Sequence, residues 1–284
     1  MSVIICDSDS ELWYERADEV GVQVIKMPYI VDGEEFLYNL GRDENSKEFF
    51  DKMRNGAKVS TAALNAENYK EIFEPLFKAG EEVLYIAFSS KMSGTFNYLE
   101  MAMNELKEIY PDAKYQRFDT LNISWGTGIQ VYLAAKYFNE GHSIDETVKF
   151  LESLRDRVGL YFAVDTLEYL KRGGRISPVA AAFGNLLQLK PVLTVNDGSL
   201  GVSSKEKGKK KAISYMLNKL FEVELDPTSP VIVLNADIAE EGKYMADKIK
   251  EHYGDSVNVW EHDVGPIIGA HCGPGTVGII FVKK

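Results

Sequence analysis

Small hydroxyl residues and a glycine follow one of the apolar runs of the sequence. The run Val83–Phe88 leads directly into residues 89–95, SSKMSGT, where a helical pattern begins. A strand that turns into a helix leaves free backbone N–H groups at the helix start, where the helix dipole favours an anion. The hydroxyls of Ser93 and Thr95 add donors, and Gly94 lets a ligand approach the backbone closely. Capping the helix needs only one such hydroxyl, so this segment favours an anion site.

Three further segments carry polar groups that could meet a ligand or a partner. His271 has four glycines nearby between residues 265 and 275, which predicts a tight loop that presents the imidazole at a surface or cleft. Thr61 follows a serine ahead of a predicted helix, and alone this pair is typical of an ordinary loop. Arg172 and Arg175 flank a Gly-Gly turn. They predict an exposed cationic point for a carboxylate or phosphate, although a solvated surface turn explains them equally well. For Arg175 a second direction is open, in which its guanidinium folds back onto local backbone carbonyls.

Several well-defined functional patterns are missing from the sequence. There is no GxxxxGK[ST] phosphate loop, and the GxG at residues 126–128 has Val131 where a dinucleotide fingerprint needs glycine. Ser93 has Lys91 two positions earlier, so the nucleophile elbow of hydrolases is excluded. Cys6 and Cys272 lack CxxC spacing, and the chain has only 4 histidines. We therefore expect neither a metal nor a cofactor.

Composition narrows the class of protein further. The chain has 284 residues, of which 45% are hydrophobic, so it can build a sizeable core in one large or two ordinary domains. Its net charge of −11 argues against nucleic acid or an anionic membrane as the main partner. The start MSVIICDSDS has no secretory signal, and the most apolar window, 176–195, contains prolines and polar residues unsuited to a membrane span. We expect a cytoplasmic protein without stable membrane insertion.

Short apolar runs alternate with amphipathic segments, which predicts an α/β fold with a mainly parallel first sheet. The predicted strands are Val3–Cys6, Val22–Ile30, Val83–Phe88, Tyr115–Phe118, Leu160–Val164, Pro191–Val195, Val231–Asn235, Val257–Trp260 and Gly278–Val282. The predicted helices are Ala66–Ala79, Thr95–Ile109, Thr127–Phe138, Ile144–Arg155, Lys209–Val223 and Ile238–His252. Residues near 22–59 are less periodic and indicate a small β excursion plus a helix. We place a domain boundary between residues 157 and 158, giving domains 1–157 and 158–284.

Taken together and in order, these segments resemble the DegV family. The matching pieces are Asp7-Ser8, residues 59–61, residues 89–95, residues 165–176 (DTLEYLKRGGRI), residues 190–193, Asp197-Gly198 and residues 269–275 (GAHCGPG). They span nearly the whole chain, and the segments around the Gly-Gly-Arg turn and the histidine are the most specific. One departure is visible, because Ala62 stands where many relatives have serine, and we assign that position no role.

The resemblance implies two α/β domains that face each other across a cleft holding a long-chain fatty acid. Members of this kind act as carriers without catalytic activity of their own. Some are the fatty-acid-binding subunit of a bacterial fatty acid kinase, in which a separate ATP-dependent subunit phosphorylates the bound carboxylate. By position, Thr61 and Ser93 would bind the carboxylate with His271 nearby, and Gly94 and Thr95 belong to the same site. Arg172 and Arg175 would then lie near the cleft mouth as a docking point for the kinase.

These residue types suit a carboxylate ligand on physical grounds. Hydroxyls, backbone N–H groups and an imidazole supply donors without a permanent countercharge, which leaves the carboxylate nucleophilic enough for phosphorylation. Burying roughly fourteen methylenes at about 0.8 kcal/mol each supplies on the order of 11 kcal/mol before the cost of association. Residues 180–187, from Ala180 to Leu187, are candidates for lining the slot for the tail, although a plain helix core explains them as well.

Two alternatives from other classes remain open at this stage. A hydrolase would use Ser93 as nucleophile and His271 as base, although no acidic residue that orients the histidine is identifiable. A phosphocarrier would hold phosphate on His271, which rests on likeness to the folds of phosphotransfer proteins alone.

Overall fold

The computed structural model describes residues 2–177, 189–254 and 256–284. Its strands are β1 (Ser2–Asp7), β2 (Gln23–Ile25), β3 (Pro28–Val31), β4 (Glu34–Leu37), β5 (Val59–Thr61), β6 (Glu82–Ala87), β7 (Tyr115–Asp119), β8 (Val158–Ala163), β9 (Lys190–Asn196), β10 (Ser199–Glu206), β11 (Val231–Asn235), β12 (Val259–Asp263) and β13 (Val277–Val282). Its helices are α1 (Tyr14–Val20), α2 (Ser46–Arg54), α3 (Ala66–Lys78), α4 (Thr95–Ile109), α5 (Trp125–Asn139), α6 (Ile144–Arg155), α7 (Glu168–Arg172), α8 (Lys209–Phe221), α9 (Ala239–Tyr253) and α10 (Pro266–Cys272). The predicted tail-lining residues 180–187 lie outside the described residues.

The first sheet is fully parallel and has the strand order β2-β1-β6-β7. Its central strands β1 and β6 are apolar runs buried on both faces, as expected of a parallel sheet covered by helices. The prediction of an α/β fold with a mainly parallel first sheet is confirmed.

The second sheet has the order β10-β9-β8-β13-β11-β12, and only its last pair is parallel. Its residues alternate between two faces. On β13, Val277, Ile279 and Phe281 belong to a core that includes apolar residues of α8 and α9, whereas Gly278 and Ile280 line a cavity on the opposite face. This second face, together with the first sheet, therefore encloses the site described below.

A small third sheet, β4-β3-β5, is antiparallel throughout and begins the excursion predicted near residues 22–59. Asp32 and Gly33 form its hairpin turn, and both have positive φ angles. The single predicted strand Val22–Ile30 is wrong in one respect. It divides into β2, which joins the first sheet, and β3, which joins the third.

Helix α5 lies between the two halves of the chain. Residues 125–135 are all buried, as expected of a helix that is apolar on every side. Trp125 stacks on His262 of β12 with ring centroids 4.9 Å apart. A Cβ on Gly126 would lie 2.9 Å from Leu160 of β8. The second sheet therefore packs directly against this helix, and the boundary between residues 157 and 158 stays a prediction.

The six predicted helices are all present, with ends within two residues of the predicted ones. Two of their starts have reciprocal capping, at Asn65 with Asn68 and at Ser143 with Glu146. The sequence patterns missed α1, α7 and β10. Two predicted loops are wrong, because strand β5 replaces the one at Ser60 and Thr61 and helix α10 replaces the one around His271.

Candidate functional site

The side chains of Thr61 and His271 meet at the wall of one cavity. Thr61 is the last residue of β5, and its Oγ1 lies 2.9 Å from Nε2 of His271 in α10. The two residues are 210 positions apart in the sequence. The structure thus brings together the hydroxyl and the imidazole that the sequence analysis singled out separately.

Helix α10 explains why glycines surround His271. Gly269 packs against the α2 residue Phe50, whose ring is 2.9 Å from the place where a Cβ would stand. A larger residue there would push α10 away from the third sheet and α2. The prediction of a tight loop is wrong, because the glycines serve the close approach of a short helix, which starts at Pro266 and ends at Cys272.

The hydroxyl-rich segment at the start of α4 lies at the same cavity. Gly94 caps the helix, and both Ser93 and Gly94 line the cavity wall. Ser93 Oγ accepts a hydrogen bond from the backbone N–H of Thr95 at 3.4 Å. Thr95 itself is buried, and its hydroxyl lies 2.7 Å from that of Tyr69. Thr95 does not line the cavity within the described residues. Its hydroxyl therefore stabilises the start of α4 from the side away from the cavity.

The two predicted docking arginines have different surroundings. Arg172 is exposed, pairs with Glu168 at 3.0 Å and lies over the ring of Tyr169. Arg175 lines the cavity instead and donates to the carbonyl oxygens of Gly173, at 2.6 Å, and Met92, at 3.3 Å. The expectation that both arginines project outward is wrong for Arg175. Its guanidinium also means that the cavity wall carries a cation, contrary to the fully neutral donor set expected from the sequence.

Apart from the polar residues described above, the cavity is lined mainly by apolar side chains of both sheets and of α10. The described lining includes Met27, Phe88, Ile123, Leu160, Phe162, Leu170, Leu200, Leu234, Val264, Ile267 and Ile280. The space measures about 1090 Å³, part of it open to solvent. The lining therefore suits an apolar ligand with one polar end.

Burial controls the charge of the imidazole. It lowers the pKa of His271 to about 4, and the nearby Arg175 guanidinium lowers it further in the same direction. The ring is therefore neutral near pH 7. Its Nε2 faces Thr61, and its buried Nδ1 has no hydrogen-bond partner among the described residues.

Three buried carboxyl groups, two behind this wall and one in it, were missed by the sequence analysis. Asp7 accepts hydrogen bonds from Tyr85 and from the backbone of Phe88, and burial raises its pKa to about 6. Glu11 accepts from Ser124 and from the backbone N–H of Gly265, and burial raises its pKa to about 8. The third, Asp9, lines the cavity. The available signal was the alternation of acidic residues at positions 7, 9 and 11 directly after a buried strand.

The arrangement disfavours the hydrolase alternative. Among the described residues, Ser93 and His271 share no hydrogen bond, since Nε2 faces Thr61 and no carboxylate orients Nδ1. Within the same residues, no cluster of three His, Cys, Asp or Glu side chains could hold a metal ion. None of the described helices is both long and apolar enough to cross a membrane.

A family model described as "Uncharacterised protein, DegV family" matches residues 1–284. The chain belongs to the DegV family. It is 36% identical over 282 residues to a DegV domain-containing protein of Clostridium perfringens, covering 99% of this chain and 97% of that protein.

Solved structures of DegV proteins have the same fold. A DegV family protein from Thermus thermophilus, described as binding fatty acid, is 27% identical with a TM-score of 0.87 over 99% of each chain. A DegV lipid-binding protein from Thermotoga maritima is 26% identical with a TM-score of 0.84 over the full length of both chains. The resemblance inferred from the motifs is confirmed.

Proposed function

We propose that this DegV protein binds one long-chain fatty acid, with its carboxylate at the Thr61, Ser93 and His271 end of the cavity. The observation that carries the proposal is the joining of polar groups from distant segments at one end of an apolar space. The Thermus thermophilus relative, which is described as binding fatty acid, supports the same ligand class.

The polar end offers several donors to an anion. The hydroxyls of Thr61 and Ser93 can each donate, and a neutral His271 can donate from one ring nitrogen. Gly94 has open space where a Cβ would stand, so a ligand can reach the backbone there. The Arg175 guanidinium lies in the same wall and offsets the ligand's negative charge. It does not block the site, because its hydrogen bonds to two backbone carbonyls keep the guanidinium in place.

The apolar part of the cavity supplies the affinity. Transfer of roughly fourteen methylenes from water provides on the order of 11 kcal/mol before the loss of ligand freedom is subtracted. Thr61 and Ser93 precede residue 158, whereas Arg175 and His271 follow it. The ligand would therefore lie in the cleft between the proposed domains 1–157 and 158–284.

A separate ATP-dependent kinase subunit is the partner that fits this arrangement. We assign the protein a carrier role in which it presents the carboxylate for acyl-phosphate formation and is not itself catalytic. Arg172 is the docking point in this proposal, because it is exposed and its turn packs on His271 through Gly173. The planar guanidinium of an arginine can pair with a carboxylate of the partner through two hydrogen bonds.

The proposed ligand can be tested by native mass spectrometry of protein purified without added lipid. We expect an adduct with the mass of a fatty acid. Replacing Ile268, which lines the cavity, in Ile268→Trp should remove the adduct. The matched control Ile109→Trp changes an exposed isoleucine of α4 and should retain it. Protein that is consistently empty and takes up no added oleate would overturn the proposal.

A further inference from the structure

One carboxyl group at the cavity has an oxygen without a hydrogen-bond partner among the described residues. Asp9 lies in the short 3₁₀ turn 8–10 directly after β1, is only 7% exposed and lines the cavity. Its Oδ1 is buried and makes no hydrogen bond within the described residues. A buried oxygen without a donor is costly for an ionised carboxylate, so this oxygen indicates a missing ligand contact or a protonated group.

The groups around Asp9 point to the protonated form. Asp7 on β1 and Glu11 beyond the turn add like charge, whereas the Arg175 guanidinium acts in the opposite direction. Arg175 makes no ion pair with Asp9 within the described residues, where its guanidinium donates to two backbone carbonyls instead. Burial and the two neighbouring carboxyls therefore outweigh the guanidinium, and the pKa of Asp9 lies well above its usual value.

We propose that Asp9 meets the ligand as a neutral carboxylic acid and donates its O–H in a hydrogen bond to the ligand's carboxylate. This inference rests on the proposed fatty-acid function, and it assigns Asp9 as the residue that selects for an anionic acceptor. A hydrogen bond from a neutral acid to a carboxylate is short and strong. With Asp9 neutral, the ligand's charge is balanced by Arg175. With Asp9 ionised, the same pocket would hold two facing anions.

Binding is thereby linked to one proton. When Asp9 is ionised in the free protein, it takes up one proton from solvent as the ligand's carboxylate binds in the cavity. The other titratable groups around it are Asp7 on β1, Glu11, Tyr69 on α3, Arg175, and His271 and Cys272 on α10. Of these, burial lowers the pKa of His271 to about 4 and raises the pKa of Asp7 to about 6 and of Glu11 to about 8, and neither carboxyl lines the cavity in the described residues.

The test compares oleate affinity between pH 6 and 10 in the intact protein and in Asp9→Asn, which stays neutral and keeps a donor. Affinity of the wild type should fall as Asp9 ionises, by up to tenfold per pH unit, and the fall should shrink by at least half in Asp9→Asn. The ligand's own ionisation cancels in this comparison. Glu11→Gln is the matched control: it removes a neighbouring carboxyl outside the cavity, and the fall should persist.

Two further measurements use the same ligand. At pH 6, Asp9→Ala should bind oleate at least tenfold more weakly, whereas Asp9→Asn should stay within about threefold of wild type. Calorimetry of the wild type in two buffers with different ionisation enthalpies should show proton uptake that grows toward one at high pH. This second readout needs no variant and stands even when a variant fails to fold.

The outcomes separate this inference from the function it rests on. Absence of oleate binding by the wild type at pH 6 overturns both. Oleate binding with the same pH profile in wild type and Asp9→Asn, or with no pH dependence and no proton uptake up to pH 10, overturns the role of Asp9 alone. Equal losses in Asp9→Asn and Asp9→Ala also overturn it.

Discussion

Gly173 leaves no room for a side chain because the imidazole of His271 lies directly against it. A Cβ on Gly173 would overlap with His271 Nδ1, although the φ angle of −76° is one that any residue can adopt. The turn that carries Arg172 and Arg175 and the helix that carries the imidazole are thus in direct contact. Two separate motifs of the sequence form one side of the cavity.

This contact predicts the effect of Gly173→Ala. The added methyl must displace His271, so we expect a loss of about 1–3 kcal/mol in the free energy of unfolding, as for other overpacked sites. Denaturant titration measures that loss. In a His271→Ala background the loss should largely disappear, because the overlapping ring is gone. An equal loss in both backgrounds would show that the ring is not what excludes the methyl.

Ser93 should contribute to binding of the carboxylate. We expect Ser93→Ala to weaken binding of oleate by about 1–3 kcal/mol, the range for losing a hydrogen bond to a charged group. The matched control is Ser90→Ala, three residues earlier in the same turn but exposed, which should bind as the wild type does. Calorimetric titration of the three proteins decides the matter, and unchanged affinity in Ser93→Ala contradicts the assignment.

Glu11 should make stability depend on pH in a predictable direction. Its pKa rises from 4.5 in the unfolded chain to about 8 in the folded protein, so only the folded state holds the proton between these values. The proton on Glu11 makes its full contribution to the free energy of unfolding below pH 4.5. This contribution is lost as the pH rises through 8. Relative to Glu11→Gln, the wild type should therefore lose up to about 1.4 kcal/mol per pH unit in this window.

Urea denaturation at several pH values measures this difference. The histidines with lowered pKa values are common to both proteins, so their contribution cancels. A constant difference between wild type and Glu11→Gln from pH 5 to pH 8 would mean that Glu11 is ionised in the folded protein.

Arg172 should affect the kinase reaction and not the lipid. We expect Arg172→Ala to bind fatty acid normally but to slow acyl-phosphate formation by the cognate kinase, and to make that rate less sensitive to salt. Lys243→Ala is a suitable control, because it removes an exposed cation of α9, a helix on the far face of the second sheet. Lost lipid binding with a normal binding-corrected kinase rate would place Arg172 in the ligand site instead.

Regular periodicity made most of the fold predictable. Helices such as α4 and α6 carry apolar stripes and ordinary ends, and the central strands are continuous apolar runs. Helix α10 was not predictable from its own sequence. The reason for a glycine at position 269 is the close approach of the aromatic rings of α2, which only the folded structure shows. Motif position singled out Thr61 and His271, and the structure puts them in contact.

The sequence left two directions open for the Arg175 side chain and did not indicate the burial of Asp9. Arg175 turns inward because a carbonyl of Met92, 83 positions away, accepts from it. Asp9 is buried because α5 and α10 both pack against the turn that carries it. Both are outcomes of tertiary contacts, which local patterns do not encode.

The buried helix α5 has a consequence for synthesis of the chain on the ribosome. Its partners Leu160, Trp260 and His262 are translated after it, the last of them more than a hundred residues later. At ordinary translation rates the surface of α5 that packs on the second sheet therefore stays uncovered for on the order of ten seconds. During that interval we expect a chaperone to bind the exposed surface of the nascent chain. A fragment ending at residue 157 would keep this surface exposed permanently.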